Sequence, residues 1–269
     1  MMKVAFQGEF GAFSESMALE MYNDALTLPC KSFEEVFDKV SRGKADTGVI
    51  PLENSITGRI SAATNLLMES DLLLCKEGKL RIEHCLIAQR SANRGNLKRI
   101  YSHPEAISQC RRYLDRCDSE IVSWWDGAAA AKKVMEDVEC AIVGNIRIAS
   151  IYGLKVLERG IQDSKENFTR FGSIGTFLPR PTGNDKTTIT FKVLHKGGRL
   201  HDALGPLSKA NINLTRIESM PIKDRPWEYA FIADLEGHCK DKGIEKALED
   251  MEAICSEFKV LGSYPSTDR

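Results

Sequence analysis

No two cysteines in this chain are spaced Cys-x-x-Cys, which removes a redox dithiol and the usual half of a zinc site. The eight cysteines, Cys30, Cys75, Cys85, Cys110, Cys117, Cys140, Cys239 and Cys255, are scattered. No Cys or His cluster at short spacing supplies a ligand set, so no metal is expected. The amino end, Met-Met-Lys-Val-Ala-Phe-Gln-Gly, has no apolar h-region of a secretory signal. A disulfide framework is not expected in a chain of this size without one. The cysteines therefore read as reduced, mostly buried thiols of a cytoplasmic protein. No apolar run approaches the roughly 20 residues that a membrane helix needs. An excess of one charge is also missing: 37 Lys and Arg stand against 38 Asp and Glu. That excludes a basic stripe for nucleic acid and a polybasic membrane patch. Asn167-Phe-Thr169 and Asn213-Leu-Thr215 fit the glycosylation pattern, but without secretion they are chance matches.

What is present suits a soluble globular protein of two domains: 269 residues, 42% of them hydrophobic and 28% charged. Lys3–Gly8 reads as an apolar strand ending in glycine, and a helix begins at Ser14 and runs to about Tyr22. Ser32-Phe-Glu-Glu35 is a capping box, with Phe33, Val36, Phe37 and Val40 on one helical face, and Gly43 ends that helix. Ala45–Pro51 is a buried strand, followed by the polar loop Glu53-Asn54-Ser55-Ile56-Thr57-Gly58 and a helix carrying Ile60, Ala63, Leu67 and Met68. Leu72–Cys75 and Cys85–Gln89 read as strands flanking a crossover. Ser102 caps a helix, Asp126 caps an Ala-rich one, Ala141–Gly144 is a third buried strand, and Ile146–Tyr152 is a short helix closed by Gly153. Strands alternating with helices imply a largely parallel α/β sheet.

The stretch Pro179–Asp185 is the clearest linker. Beyond it come a strand at Thr188–Leu194, a helix at Leu200–Lys209, a hairpin from Ile212–Pro221 and Trp227–Leu235, a helix at Ile244–Phe258, and a strand at Val260–Tyr264. The order βαββαβ is ferredoxin-like. Both helices on one face leave the other face or an edge open, and such modules often pair there.

Three strings carry chemistry. In Ile161–Phe171, read as a loop, Thr169 and Arg170 set a hydroxyl beside a guanidinium between Phe168 and Phe171. Arginine forks a carboxylate, and nearby rings strengthen the pairing by lowering the local dielectric. The plain alternative is core phenylalanines and a surface charge. Pro51–Gly58 lies beyond a strand's carboxyl end, where open α/β sheets bind ligands. There Asn54, Ser55 and Thr57, with helix N–H groups, can donate to an anion, or simply cap the helix. In Ser102–Cys110, Gln109 lies two turns after Ser102 on roughly the same face. His84 at a strand start receives no proton-transfer role.

These strings, with Val4–Gly8, Gly11–Glu15, Lys31–Phe37, Tyr152–Leu154 and Ile161–Asp163, resemble the prephenate dehydratase family in order across nearly the whole chain. Thr169-Arg170-Phe171 resembles its signature. Asn213–Pro221 resembles the phenylalanine-sensing string of its ACT module. The resemblance implies a catalytic domain over 1–182, two-lobed like a type II periplasmic binding protein. Lobe one holds about 1–76 and 162–182, lobe two about 77–161, and an ACT domain covers 187–269. It implies Thr169 as the catalytic hydroxyl, with Glu53, Asn54, Ser55, Ser102, Gln109, Arg170 and Phe171 at the substrate. It implies an effector site at Gly198, Leu200, Asn213, Leu214, Glu218 and Ser219, a homodimer or homotetramer through the ACT domains, and no cofactor or metal. The substrate implied is prephenate and the effector L-phenylalanine.

Three departures mark this chain: Met220 where the family has arginine, Arg199 where it has alanine, and Gly127 without the hydroxyl often present at that helix start. Losing carboxylate and hydroxyl makes an aromatic ring, so the reaction runs downhill without an electron sink. Thr169 orients and donates a hydrogen bond, since its hydroxyl is too weak an acid to deliver a proton outright. Glu53 and Glu77 qualify as acids only if burial raises them. Arogenate dehydratase shares these motifs and remains the nearest alternative. A non-catalytic amino-acid sensor is the alternative from another class. A chorismate mutase needs a further helical domain, and the chain opens directly on its first strand, so none is expected to be fused.

Overall fold

Val4, Ala5 and Phe6 are fully buried, as in a strand covered on both faces. They form β1 (Lys3–Gln7), which is followed by α1 (Phe13–Met21), β2 (Leu26–Cys30), α2 (Phe33–Ser41), β3 (Thr47–Asn54), β4 (Gly58–Arg59) and α3 (Ser61–Glu69). The structure, a computed structural model, describes residues 1–222 and 225–267, with backbone alone at 225–228. Contacts group Met1–Ala63 with Gly78–Phe171 as one unit, and Thr64–Glu77 with Gly172–Arg269 as another.

In the first unit β1 pairs in parallel with β2 and with β3. The chain continues through β5 (Leu73–Arg81), β6 (Cys85–Ala88), β7 (Arg99–Ser102), α4 (Pro104–Gln109), α5 (Arg111–Leu114), β8 (Glu120–Ser123), α6 (Ala131–Glu136), β9 (Cys140–Gly144), α7 (Arg147–Ile151), β10 (Lys155–Arg159) and β11 (Phe168–Gly175). One sheet of this unit runs β11-β3-β1-β2, and the other β10-β6-β9-β7-β8. The second mixes parallel pairs, β7 with β8 and β9, with antiparallel ones, β6 with β9 and β10. Two sheets with separate cores make two lobes.

The second unit holds β12 (Asp185–Lys192), α8 (Arg199–Lys209), β13 (Leu214–Ile222), β14 (Arg225–Glu236), α9 (Lys242–Glu252) and β15 (Glu257–Pro265). Its order is β13-β14-β12-β15, all antiparallel, and β15 also meets β5 at Gly262 and Leu74. This is the βαββαβ pattern, with Ala203, Leu207, Leu248 and Met251 of both helices in one core. Residues 223–224, between the two strands of the expected hairpin, lie outside the described residues. No helix among the described residues is long and apolar enough to cross a membrane.

Several elements differ from the sequence expectations. Leu26–Cys30 is a strand despite Pro29, because β2 is an edge and proline's missing donor faces no neighbour. The expected crossover after Cys75 is strand as far as Arg81. Its polar run misled because Glu77 is buried against Lys186, whose Nζ lies 3.0 Å from Oε1. Helix α9 stops at Glu252, yet Ile254, Cys255 and Phe258 still pack into its core, so the apolar period outruns the helix. The polar loop at 53–58 is instead the end of β3, a turn and β4, with Glu53 opposite Arg59. Residues 168–171 are not loop but the start of β11. Ser102 ends β7, and the cap of α4 is His103, whose Nδ1 accepts from the Glu105 N–H at 3.2 Å.

Candidate active site

In the first unit a cavity of about 660 Å³ is lined by Asn54, His84, Gln109, Asp126, Thr169 and Phe171, among others. Asn54 closes β3 and Thr169 is the second residue of β11, so neighbouring strands bring together residues 115 apart in sequence. The Nδ2 of Asn54 donates to Thr169 Oγ1 at 3.0 Å. Its Oδ1 accepts from the N–H groups of Ile56 at 2.9 Å and Thr57 at 3.1 Å, which locks the amide.

Successive strand residues point to opposite faces. Thr169 and Phe171 line the cavity, while Arg170 between them does not. Arg170 is buried on the other side, with Nη1 3.4 Å from Glu53 Oε1. The hydroxyl and guanidinium therefore do not serve one ligand side by side. Ser55 is exposed and stays outside the lining. Its Oγ accepts from the Phe168 N–H and donates to the Glu166 carbonyl, both at 2.9 Å, clamping the β3 turn to the β11 start. Ser102 is fully buried and donates to the Val143 carbonyl at 3.0 Å, which ties β7 to β9. Of the eight predicted residues, Asn54, Gln109, Thr169 and Phe171 reach the cavity, and Glu53, Ser55, Ser102 and Arg170 support its frame. Glu77, considered as an acid, lies in the other unit and is paired with Lys186.

Asn167 escaped sequence reasoning except as part of a chance glycosylation match. It is fully buried. Its Oδ1 accepts from Asn54 Nδ2 at 2.7 Å, and its Nδ2 donates to Gln109 Oε1 at 2.8 Å. Its spacing two before Thr169, the same-face interval of a strand, was the available signal. Arg59 of β4 also lines the cavity and was not foreseen.

His84 Nε2 lies 2.9 Å from Gln109 Oε1, and its ring meets Phe13 edge to face. Burial holds its pKa below the ordinary histidine value, against the opposing pull of the Gln109 bond. Burial raises the Asp126 carboxyl, against the N–H groups of Ala129, Ala128 and Glu9. Gly8 packs on that carboxyl. Its φ of +118° suits glycine, and a Cβ there would stand 2.5 Å from Asp126 Oδ2. At Gly127 a Cβ would lie 2.9 Å from the Val143 carbonyl oxygen, so this helix start has no room for a hydroxyl side chain. No group of three His, Cys, Asp or Glu among the described residues is placed to hold a metal.

The predicted effector residues do not converge within one chain. Strands β12 and β13 both run antiparallel to β14, so they share a direction. Gly198 and Leu200 follow β12, at the end of the sheet where β13 finishes. There a pocket of about 420 Å³ is lined by Leu200, Ile222, Tyr229 and Phe231. Asn213 and Leu214 sit at the opposite end, where Asn213 Nδ2 donates to Glu236 Oε1 at 3.0 Å. Glu218 lies between them, 3.6 Å from Arg216, with Ser219 exposed beside it. Met220 is buried in β13, and Arg199 opens α8 within 3.6 Å of Asp202.

Residues 4–177 match the family model described as prephenate dehydratase, and residues 187–253 match the ACT domain. The chain is 38% identical over 267 residues to a bifunctional chorismate mutase/prephenate dehydratase of Pseudomonas aeruginosa, covering 98% of this chain and 73% of that one. A solved structure of GqqA, described as a novel type of quorum quenching acylase, superposes with a TM-score of 0.89 at 32% identity, covering 99% of this chain and 98% of that one. The prephenate dehydratase of Arthrobacter aurescens, in complex with L-Phe, also gives 0.89, at 30% identity with coverage of 99% and 90%.

Proposed function

The chain belongs to the prephenate dehydratase family, and from that premise we propose that it converts prephenate to phenylpyruvate as a hydro-lyase. The observation that carries the reading is the Asn54–Thr169 contact at 3.0 Å on the wall of the cavity. In the reaction the bond from ring to carboxylate breaks and carbon dioxide leaves. Its electron pair completes the aromatic ring as the carbon–oxygen bond at C4 breaks, and the departing hydroxide takes a proton to become water. Thr169 donates a hydrogen bond to that oxygen as charge builds on it. Asn54 fixes the threonine, Phe171 covers the ring, and Gln109 and Arg59 bind the carboxylates. Asp126, whose carboxyl burial favours in its protonated form, stands on the same wall.

We place the catalytic domain at 1–182, with lobe one about 1–76 and 162–182 and lobe two about 77–161, and the ACT domain at 187–269. Eight free thiols support a reducing, cytoplasmic setting. The acylase reading of GqqA transfers poorly, because amide hydrolysis by a threonine needs a base at its hydroxyl. Here the group on Thr169 Oγ1 is an amide nitrogen. Purified protein offered prephenate is expected to release phenylpyruvate. Phenylalanine from arogenate alone would move the assignment to arogenate dehydratase, and no product from either would leave a sensor.

Regulation follows from the separated halves of the effector site. Gly198 and Leu200 at one end of β13 and Asn213 and Leu214 at the other meet only if a second copy supplies one half. L-phenylalanine is therefore expected to bind a homodimer, or a homotetramer built from it, and to act by favouring one lobe arrangement. Titration calorimetry should show heat of binding for the oligomer. A dimer with no heat would mean that Met220 and Arg199 have closed the site.

A further inference from the structure

We infer that Asn167 is a positioning residue. It carries a polarity set by two backbone N–H groups along a line of side-chain amides, holding His84 as the Nε2–H tautomer and leaving the Thr169 proton to the cavity. The role assigned to Thr169 rests on the proposed dehydration, whereas the state of His84 does not.

The line starts at the turn after β3. The Ile56 and Thr57 N–H groups both point at Asn54 Oδ1, at 2.9 and 3.1 Å. Reversing that amide would set donors against donors. Nδ2 must therefore face Asn167 Oδ1 at 2.7 Å, the Phe168 carbonyl at 3.1 Å and Thr169 Oγ1 at 3.0 Å. An amide nitrogen accepts nothing, and its two hydrogens are shared among these three oxygens, so Thr169 donates nothing here and keeps its own proton. Asn167 receives at Oδ1 and so donates from Nδ2 to Gln109 Oε1 at 2.8 Å. His84 Nε2 lies 2.9 Å from that same oxygen. A carbonyl oxygen cannot donate, so Nε2 carries the proton. Nδ1 then holds a bare lone pair, and it is buried with no hydrogen-bond partner. Every orientation follows from the first pair of backbone donors, and Asn167, with no exposed surface, is the link between Asn54 and Gln109.

The inference separates three isosteric changes from amide to acid. Asn167→Asp still accepts from Asn54, but it can no longer donate to Gln109. Gln109 must turn its amine toward the new carboxylate and toward His84 Nε2, which becomes an acceptor, so the proton moves to Nδ1. Asn54→Asp forces the same reversal from a residue that does not touch His84. Gln109→Glu keeps an oxygen facing both neighbours and leaves the proton on Nε2.

Long-range nitrogen–proton correlation spectra of histidine-labelled protein at about pH 8, well above the ordinary histidine pKa, read the tautomer directly. Wild type and Gln109→Glu are expected to show Nε2–H, and Asn167→Asp and Asn54→Asp to show Nδ1–H. Asn167→Asp should also lower kcat at least about tenfold, the scale for losing an orienting outer partner, with KM within about twofold. Nδ1–H in wild type overturns the inference, as does Nε2–H retained in a folded Asn167→Asp protein. Should that variant not fold, Asn54→Asp and wild type decide alone. Because the spectra need no substrate, they decide this point even if the protein leaves prephenate untouched.

Discussion

Replacing Thr169 with alanine is expected to lower turnover by at least about 100-fold, the scale for losing one preorganised donor in a transition state. The fold should survive. The Thr169 side chain accepts from Asn54 Nδ2, and that nitrogen keeps the Asn167 and Phe168 oxygens as partners. The loss should fall on kcat more than on KM, because the hydroxyl matters most when charge develops on the departing oxygen. Thr169→Ser restores the hydroxyl with a freer rotamer and should recover part of the rate. Steady-state kinetics of both variants, beside their thermal transitions, checks the assignment. A well-folded Thr169→Ala enzyme turning over near the wild-type rate would refute it.

Lys186→Met is expected to cost about 3–5 kcal/mol of stability, as when one member of a buried ion pair is removed. The Nζ of Lys186 lies 3.0 and 3.2 Å from the two oxygens of Glu77. Both side chains are buried, at 3% and 0% exposure. The Thr267 N–H and hydroxyl also donate to Glu77 Oε1, at 2.9 and 3.1 Å. Without the lysine, the buried carboxylate loses this cationic partner, and it must either remain charged at high cost or take up a proton. Adding Glu77→Gln removes the stranded charge and should return much of the loss. Urea unfolding of the single and double variants measures both numbers. A single-variant loss under about 1 kcal/mol would show that water reaches the pair.

Glu77 sits in a strand where the sequence alone suggests a crossover. Lys76-Glu77-Gly78-Lys79 looks like loop because its charge balance depends on Lys186, far along the chain. No local window contains both. Where the pattern is local, the expectations and the structure agree. Ser32 caps α2 as expected, Gly153 closes α7 with φ of +67°, and the βαββαβ order appears as read. The site divided along the same line. Asn54 and Thr169 were found through family motifs and do meet. Arg170 was placed with them by adjacency in sequence, but a strand sends neighbours to opposite faces, and recognising β11 would have corrected the error. Ser102 reads as the cap of a helix, whereas His103 provides that acceptor and leaves the serine hydroxyl to bridge two strands. Asn167 stayed hidden because its importance lies in joining partners from three separate segments.

Most of the eight thiols are buried, and burial pushes several up, Cys75 and Cys255 to about 11 and Cys110 to about 12. The buried thiols therefore react slowly with alkylating reagents, which attack the thiolate, while Cys117 and Cys255 are only half-buried. Slowness of this kind makes each buried cysteine a clock for opening. Cys85, Cys110 and Cys140 time the exposure of one unit, and Cys75 and Cys239 that of the other, with no label or engineered probe.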